Sequence, residues 1–419
     1  MSRYAFAFSL SSHFGKQQVT SRFFGEMATK CAIIAPMKSE TTTAEELLLA
    51  VRAGEPTHTG VKTLVAGNRS GHIALSLVQA GANVCAHVFD CHHARAMRDR
   101  LTEAGVDPST IVHCTAEIPE GPYSRAYFMT TPTSMPAELV LDQLEDIRSQ
   151  LAVGGELIAA FEGTPDDALK TMKRVFARVH VLPLPDKKAL GGVKCVKGVP
   201  QVALFRAVKG EKDAAAVRRS FAADWTASVP NGEMRTFQSL PGCFCHRRAD
   251  PGGQALAEVA CAELTAAGKA FGGAFDILDM GCGCGFVGLL VADRLRSLCP
   301  TDSKIQLTLL DSHARALAAA RVNADRLGFA DARLVLADDG LPASEPPAFD
   351  LFLGNPPYFG DWRIAETFVS TAFRTLKPGG RCLTVAKSES GLKELQTRIF
   401  GEVEVIKRRG YFVFSSIRH

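Results

Sequence analysis

The feature that most constrains the fold is a repeat of four landmarks in one order. From Lys62 the chain reads KTLVAGNRSGHIALSLVQAGANVCAHVFD; from Phe275 it reads FDILDMGCGCGFVGLLVADRL and then KIQLTLLD. Each stretch is an apolar run, a glycine-containing loop, a helical apolar period and a second apolar run, ending in Asp90 and Asp311 respectively. AYFMTTPTS then matches FDLFLGNPPYF, and the glycine pair of LAVGGELIAAF matches that of LKPGGRCLTVA, each following a helical segment that the glycines are expected to close. Intervals between landmarks are close to equal, so the sequence predicts two copies of one βα fold. Alternating strands and helices imply parallel sheets. The closing stretch VEVIKRRGYFVFSSI reads as a hairpin, which ends the second sheet on an antiparallel strand.

At 419 residues the chain exceeds what one core organises, which agrees with a duplicated architecture. Between the copies, KGEKDAAAVRRSFAADWTASVPNGE reads as a charged helical linker closed by Pro230 and Gly232. The expected domains are 1–36, a flexible or targeting extension; 37–208, the first copy; 209–235, the linker; and 236–419, the second copy. Residues 1–25 carry Arg3, Lys16 and Arg22 and no acid, the composition of an organellar transit peptide or of a tail. A net charge of +4 is too mild to signal nucleic acid by itself. No apolar run approaches the roughly 20 residues of a membrane span, so none is expected. Twelve scattered cysteines read as free thiols of a reducing, cytoplasmic compartment.

The loop ILDMGCGCG places Gly281, Gly283 and Gly285 where the chain leaves a strand. Glycine there reaches positive φ and admits a ligand close to the main chain. A helix N-terminus follows, which also suits pyrophosphate, so the loop alone does not choose a cofactor. The acids do. Asp279 precedes the first glycine, where its carboxylate accepts from a cationic amino group or orders water beside it. Asp311 ends the next strand, where it takes both hydroxyls of a ribose. Asp338 and Asp339 end a third, where one of them holds an adenine amino group. Those are the needs of S-adenosylmethionine. Cys282, Cys284, Cys243, Cys245 and His246 lack the paired C-x2-4-C spacing of structural zinc, so no metal is expected. His92 and His93 read as an exposed helix start.

Asn355-Pro356-Pro357-Tyr358 follows an apolar run that ends at Gly354. No strand interior holds two prolines, so the segment lies at a carboxyl end, beside the crevice where doubly wound sheets bind ligands. The Asn355 side-chain carbonyl and the Pro356 main-chain carbonyl are two acceptors at a fixed angle, because proline locks φ. They match the two hydrogens of a planar exocyclic amine and aim its lone pair at a methyl sulfonium. Tyr358 offers a ring face for the group that bears the amine. A base within a duplex would have to be flipped out to reach it.

With these motifs in this order, the second copy resembles class I S-adenosylmethionine-dependent N-methyltransferases. The whole layout, with Pro241-Gly242-Cys243-Phe244-Cys245 and Asp250-Pro251-Gly252 ahead of the glycine loop, resembles the ribosomal RNA guanine-N2 methyltransferases of the RsmC/RlmG type. The resemblance runs from about residue 40 to the end. It implies two tandem Rossmann-like methyltransferase domains. Asp279, Gly281, Gly283, Gly285, Asp311 and Asp338 or Asp339 would bind cofactor, and Asn355, Pro356, Pro357 and Tyr358 would hold the amine. The partner would be ribosomal RNA or a ribosomal subunit. In that family the first domain has lost cofactor binding and helps fold or position the second and hold RNA. Here Arg69 replaces the middle glycine, where it would fill cofactor space, and Thr131-Pro132-Thr133 replaces Asn-Pro-Pro.

The family usually has Phe-His after Asn-Pro-Pro, whereas Tyr358-Phe359 stand here. That spelling is shared with adenine-N6 and protein-glutamine methyltransferases, which leaves the acceptor open. A rival of another class is a catalytically idle, RNA-binding ribosome-assembly factor. Lys387 with Lys407, Arg408 and Arg409, and Lys187, Lys188, Lys194 and Lys197, are two basic clusters that would contact phosphate or simply face water.

Overall fold

Strands and helices alternate from Thr43 onward in a computed structural model, which describes residues 43–55, 59–67, 69–130, 135–184, 202–228, 233–267, 274–299, 304–357 and 362–419. The expected extension at residues 1–36 lies outside these, as do Thr131-Pro132-Thr133, Tyr358 and the four lysines from Lys187 to Lys197.

In the first half the strands are β1 (Lys62–Ala66), β2 (Asn83–Val88), β3 (Val112–Cys114), β4 (Tyr123–Thr130), β5 (Leu151–Glu162), β6 (Val179–Leu182) and β7 (Val202–Val208). A two-stranded unit follows, β8 (Ala223–Ser228) and β9 (Met234–Ser239). The second half holds β10 (Ala274–Met280), β11 (Lys304–Asp311), β12 (Arg333–Leu336), β13 (Phe349–Gly354), β14 (Leu376–Ala386), β15 (Glu404–Arg408) and β16 (Tyr411–Ile417). The helices in chain order are α1 (Thr43–Ala53), α2 (His72–Gln79), α3 (Cys91–Glu103), α4 (Ala137–Gln150), α5 (Pro165–Lys173), α6 (Glu211–Ala215), α7 (Pro251–Ala267), α8 (Phe286–Leu298), α9 (Ala314–Arg326), α10 (Arg363–Thr375) and α11 (Leu392–Phe400).

The first sheet runs β3-β2-β1-β4-β5-β7-β6 and the second β12-β11-β10-β13-β14-β16-β15, which is the same order copied. All pairs but those of the last two strands are parallel, and β7 and β16 run antiparallel to β5 and β14. Central strands are apolar on both faces because helices cover both, as β1 with Leu64, Val65 and Ala66 fully buried shows. The match reaches single residues. Gly154 and Gly379 both sit at φ 82°, and their N–H groups donate to Lys209 O at 2.8 Å and Arg418 O at 2.7 Å.

Two expectations are corrected. The glycine pairs do not close the preceding helices. Leu151 and Leu376 already take extended dihedrals, and the pairs lie inside β5 and β14, each beside a register shift. Nor is the segment between the copies one helical linker. Among its described residues only Glu211–Ala215 is helical, and β8 alternates buried Ala223, Trp225 and Ala227 with exposed neighbours, the period of a strand. Trp225 stacks on Phe237 at 5.2 Å and meets Phe286 edge-on at 5.3 Å, so this hairpin belongs to the core of the second sheet. None of the helices described is long and apolar enough to cross a membrane.

The two sheets meet at the ends of β2 and β11. Asp90 and His313 form an antiparallel bridge, with Cys91 N–H on Ser312 O at 2.9 Å and Ala314 N–H on Phe89 O at 2.7 Å. Behind it Arg315, 1% exposed, pairs with Asp142, donates to Ala116 O at 2.9 Å and lies 4.2 Å over the Phe89 ring. A buried guanidinium holds this face only because its partners are charged or carbonyl oxygens.

Candidate active site

The chain leaves β10 into the glycine loop at Gly281. Gly281, Gly283 and Gly285 have φ of 68°, 56° and 81°, all in the region that favours glycine. Gly281 N–H and Cys282 N–H both donate to Leu310 O, at 2.8 and 3.0 Å, which stitches the loop to β11. Gly285 is the left-handed cap from which α8 starts. A Cβ added at Gly281 would fall 2.8 Å from the Phe368 ring, whereas one at Gly283 meets no atom within 4 Å. The loop is therefore packed below and open above, at the middle glycine.

The acids are placed around that opening. Both Asp311 oxygens accept main-chain N–H groups, Oδ2 from Gly283 at 2.8 Å and Oδ1 from His313 at 2.9 Å. Each carboxylate oxygen can accept twice, so capacity for ribose hydroxyls remains. Burial pushes the Asp311 carboxyl up to about 6 against the pull of those N–H groups. Asp279, 2% exposed, accepts through Oδ2 from Gly288 N–H at 2.8 Å, and burial pushes it up to about 7. Asp338 is engaged from the first half of the chain: it pairs with Arg95 and lies 3.4 Å from His92 Nδ1, whose pKa the contact raises. Asp339 is the exposed one, 3.8 Å from Arg95.

Asn355 arrives by register. β10 and β13 pair in parallel with Met280 opposite Gly354, so the next residues, Gly281 and Asn355, leave the sheet side by side at about 5 Å, the spacing of adjacent strands. Gly354 is required here, since a Cβ would fall 2.9 Å from Phe352 and 3.0 Å from Phe368. Phe368, on α10, thus lies beneath both glycine turns. Asn355 Nδ2 donates to Asp250 Oδ2 at 2.8 Å. A carboxylate can only accept, so the amide presents its NH2 to Asp250 and its Oδ1 away from it. Pro356 is buried and Pro357 exposed.

The sequence reading missed Phe368 and Asn323, and it named Asp250 without its contact to Asn355. Asp250 opens α7, its Oδ2 also accepting Gly253 N–H at 2.6 Å. The Asp-Pro-Gly run signals a helix start, but nothing in it names Asn355 as a second partner. Phe368 reads as one more apolar position of an amphipathic helix. Asn323, fully buried, ties Cys284 O at 2.8 Å to Gln238 O at 2.8 Å, and a lone Asn in ARVNADR carries no such signal. Cys243, Cys282 and Cys284 are buried, which raises their pKa values, Cys243 to about 11, and keeps them as thiols. Among the described residues no group of three or more His, Cys, Asp or Glu could hold a metal ion.

The first copy repeats the loop with an arginine in place of its middle glycine. Gly67 and Gly71 keep φ of 73° and 84°, while Arg69 takes the middle position. Asp90, the counterpart of Asp311, accepts from His92 N–H at 2.8 Å and from Ser312 Oγ at 2.9 Å, so it works at the contact between the sheets.

The family described as Methyltransferase small domain matches residues 234–415. Ribosomal RNA large subunit methyltransferase G of Stutzerimonas stutzeri (strain A1501) is 25% identical over 382 residues, 88% of this chain and 90% of that protein. Over most of its length the chain is similar to the RsmC/RlmG-like class I methyltransferases. Ribosomal RNA small subunit methyltransferase C of Sodalis glossinidius (strain morsitans) is 31% identical over 179 residues, 42% of this chain, and the chain spans only 46% of that relative's length. The fold is shared with a solved T. thermophilus 16S rRNA N2 G1207 methyltransferase (RsmC), in complex with AdoMet and guanosine, at TM-score 0.67 and 19% identity over 88% of this chain and 91% of that one. The site of this RsmC/RlmG-like chain fits S-adenosylmethionine by its own geometry. A main-chain surface open at Gly283 is flanked by acids at the ends of β10 and β11, with backbone N–H groups holding them in place.

Proposed function

We propose that this enzyme methylates the exocyclic amine of an RNA base, namely N2 of guanine in ribosomal RNA, in the cytoplasm. The observation that carries the reading is the register that sets Asn355 beside the open glycine loop, with its amide fixed by Asp250. Asp279 Oδ1 and Asp311 are the groups for the amino and ribose ends of S-adenosylmethionine, and Asp339 is the acid within reach of an adenine. Bound there, the cofactor supplies an electrophilic methyl group on sulfur. The protein's part is orientation and fixed electrostatics, with no covalent intermediate. Asn355 Oδ1 and the Pro356 carbonyl accept the two N–H bonds of the amine. That grip draws the nitrogen lone pair out of conjugation and turns it toward the cofactor loop. As the amine gains positive charge the two acceptors hold it more tightly, so they favour the transition state over bound substrate.

RNA contact is proposed for the exposed cations near the second site. Arg408 and Arg409 are both tied to Glu258, at 2.5 and 2.7 Å, and remain about half exposed. Lys387 lies 4.3 Å over the Tyr411 ring and Lys407 5.7 Å over Phe412.

Nucleoside mass spectrometry of ribosomal RNA from cells with and without the gene tests the reading. Loss of one N2-methylguanosine from the deleted strain is expected. Loss of N6-methyladenosine instead would favour the second reading, which the Asn-Pro-Pro-Tyr spelling supports. An unchanged RNA, with a protein that does not bind S-adenosylmethionine, would leave an assembly factor.

A further inference from the structure

The grip described above fixes only the edge of a base. Two acceptors on one amine leave the base free to tilt about their line, and a tilt swings the lone pair off the methyl group. Tyr358, expected to offer a ring to one face, lies outside the described residues, and the opposite face needs a holder as well.

The loop from Pro241 to Asp250 is built to present one. Pro241 O accepts from buried Arg315 at 3.3 Å, and Gly242, at φ 98°, passes so close to His313 that a Cβ would fall 3.1 Å from its ring. Cys243 is 6% exposed and packs in the same core as Cys282 and Cys284 of the cofactor loop. Cys245 lies by the amine grip, its Sγ 3.7 Å from Oδ1 of Asp250, the residue that holds Asn355. Phe244 stands between these two neighbours, one Cα step of about 3.8 Å from each. Its side chain is 67% exposed. Trp362 is the one other large aromatic side chain exposed among the described residues, and its ring fills the space above Gly391.

The loop holds this shape under strain. Cys245 and Arg247, neither of them glycine, have φ of 54° and 73°, a conformation that persists only where the surroundings enforce it. The surroundings do so. Arg247 N–H donates to Ser239 Oγ at 3.0 Å, and its guanidinium makes two bonds of 2.9 Å to Glu138 on α4 of the first half. Arg315 pairs with Asp142 on that same helix. Both ends of the loop are thus anchored to the first copy.

We infer that Phe244 is the ring that stacks on the face of the target base opposite Tyr358, and that the first copy serves the reaction by holding the Phe244 loop through Glu138 and Asp142. The inference rests on the reading of the site as an RNA base methyltransferase. Stacking on an aromatic face tolerates any base, so Phe244 sets the tilt while Asn355 and Pro356 select the amine.

The test uses full-length enzyme, ribosomal RNA purified from a strain lacking the gene, and four proteins: wild type, Phe244→Ala, Phe244→Leu and Phe244→Trp. Phe244→Ala and Phe244→Leu should each lower kcat/KM for RNA about 10- to 100-fold, the usual worth of one stacked base, with S-adenosylmethionine affinity by calorimetry within about twofold. Phe244→Trp should restore the rate to within about threefold. Full activity of Phe244→Leu overturns the inference, because an apolar filler would then serve as well as a ring. Equal loss of cofactor affinity and activity in the Ala and Leu variants also overturns it, since the residue would then be structural. A wild-type enzyme that binds the cofactor but methylates no RNA overturns the functional reading itself, and the inference with it.

Discussion

Substituting Asp250 separates two consequences of one carboxylate. Its Oδ2 accepts from both Asn355 Nδ2, at 2.8 Å, and Gly253 N–H, at 2.6 Å. The second bond caps α7, and its loss in Asp250→Ala costs about 1 kcal/mol of stability, within a range of about 0.5–2. The first aims the Asn355 amide. A hydrogen bond to a charged group contributes about 1.5–3 kcal/mol, and if that orientation is felt only in the transition state it corresponds to about 10- to 150-fold in kcat. Asp250→Asn is the informative partner. Both bonds converge on one oxygen, so an Asn carbonyl placed there keeps them, and Asn is an equally good cap. It loses only charge assistance, about half the strength of such a bond, which predicts a fall of about 3- to 10-fold. Single-turnover methylation at saturating cofactor reads kcat, urea unfolding reads stability, and calorimetry reads S-adenosylmethionine binding, which neither change should move more than about twofold. An Asp250→Ala enzyme with wild-type kcat would refute the reasoning, as would Asp250→Asn being the slower of the two.

Asp279 and Asp311 are pushed up to about 7 and about 6 by burial, against an unfolded value near 4. The folded free protein therefore keeps protons that the unfolded chain has lost between about pH 4 and 7, and its stability falls as pH rises through that window. Cofactor binding runs the other way, because the amino and ribose ends need carboxylates. Affinity by calorimetry should rise about tenfold from pH 6 to pH 8, as the ionised fraction of a group titrating near 7 rises from roughly a tenth to nine tenths. A flat profile would contradict the assignment of Asp279. Arg315→Ala leaves buried Asp142 only the more distant Arg218, at 3.6 Å, and should lower unfolding free energy by about 3 kcal/mol in urea. A loss under about 1 kcal/mol would mean that this contact does not join the sheets.

The duplication was readable because parallel strands and helix-opening glycines leave dense local marks: Gly67 with Asp90, Gly281 with Asp311, and two glycine pairs. The identical strand order of the two sheets agrees with it. The segment after Glu211 misled because AAAVRR favours helix locally, whereas Trp225 gains more by stacking on Phe237 in a hairpin, a tertiary contact that propensity does not contain. The same limit governs the site. The roles proposed for Asn355 and the three glycines rest on local spelling. Asp250, Phe368 and Asn323 act on partners about 105, 87 and 39 residues away, at Asn355, Gly281 and Cys284, and only the folded sheet brings those together. Asp338 shared with Asp339 the expectation of holding an adenine amino group, because nothing in its own sequence shows Arg95 arriving from the first copy.

The most direct measurement is paired on one variant, Asn355→Ala: methyl transfer to ribosomal RNA from the deleted strain, and S-adenosylmethionine binding by calorimetry. The account predicts transfer lowered at least about 100-fold, as when a transition-state hydrogen-bonding partner is removed, with cofactor affinity unchanged. Transfer at the wild-type rate would contradict it.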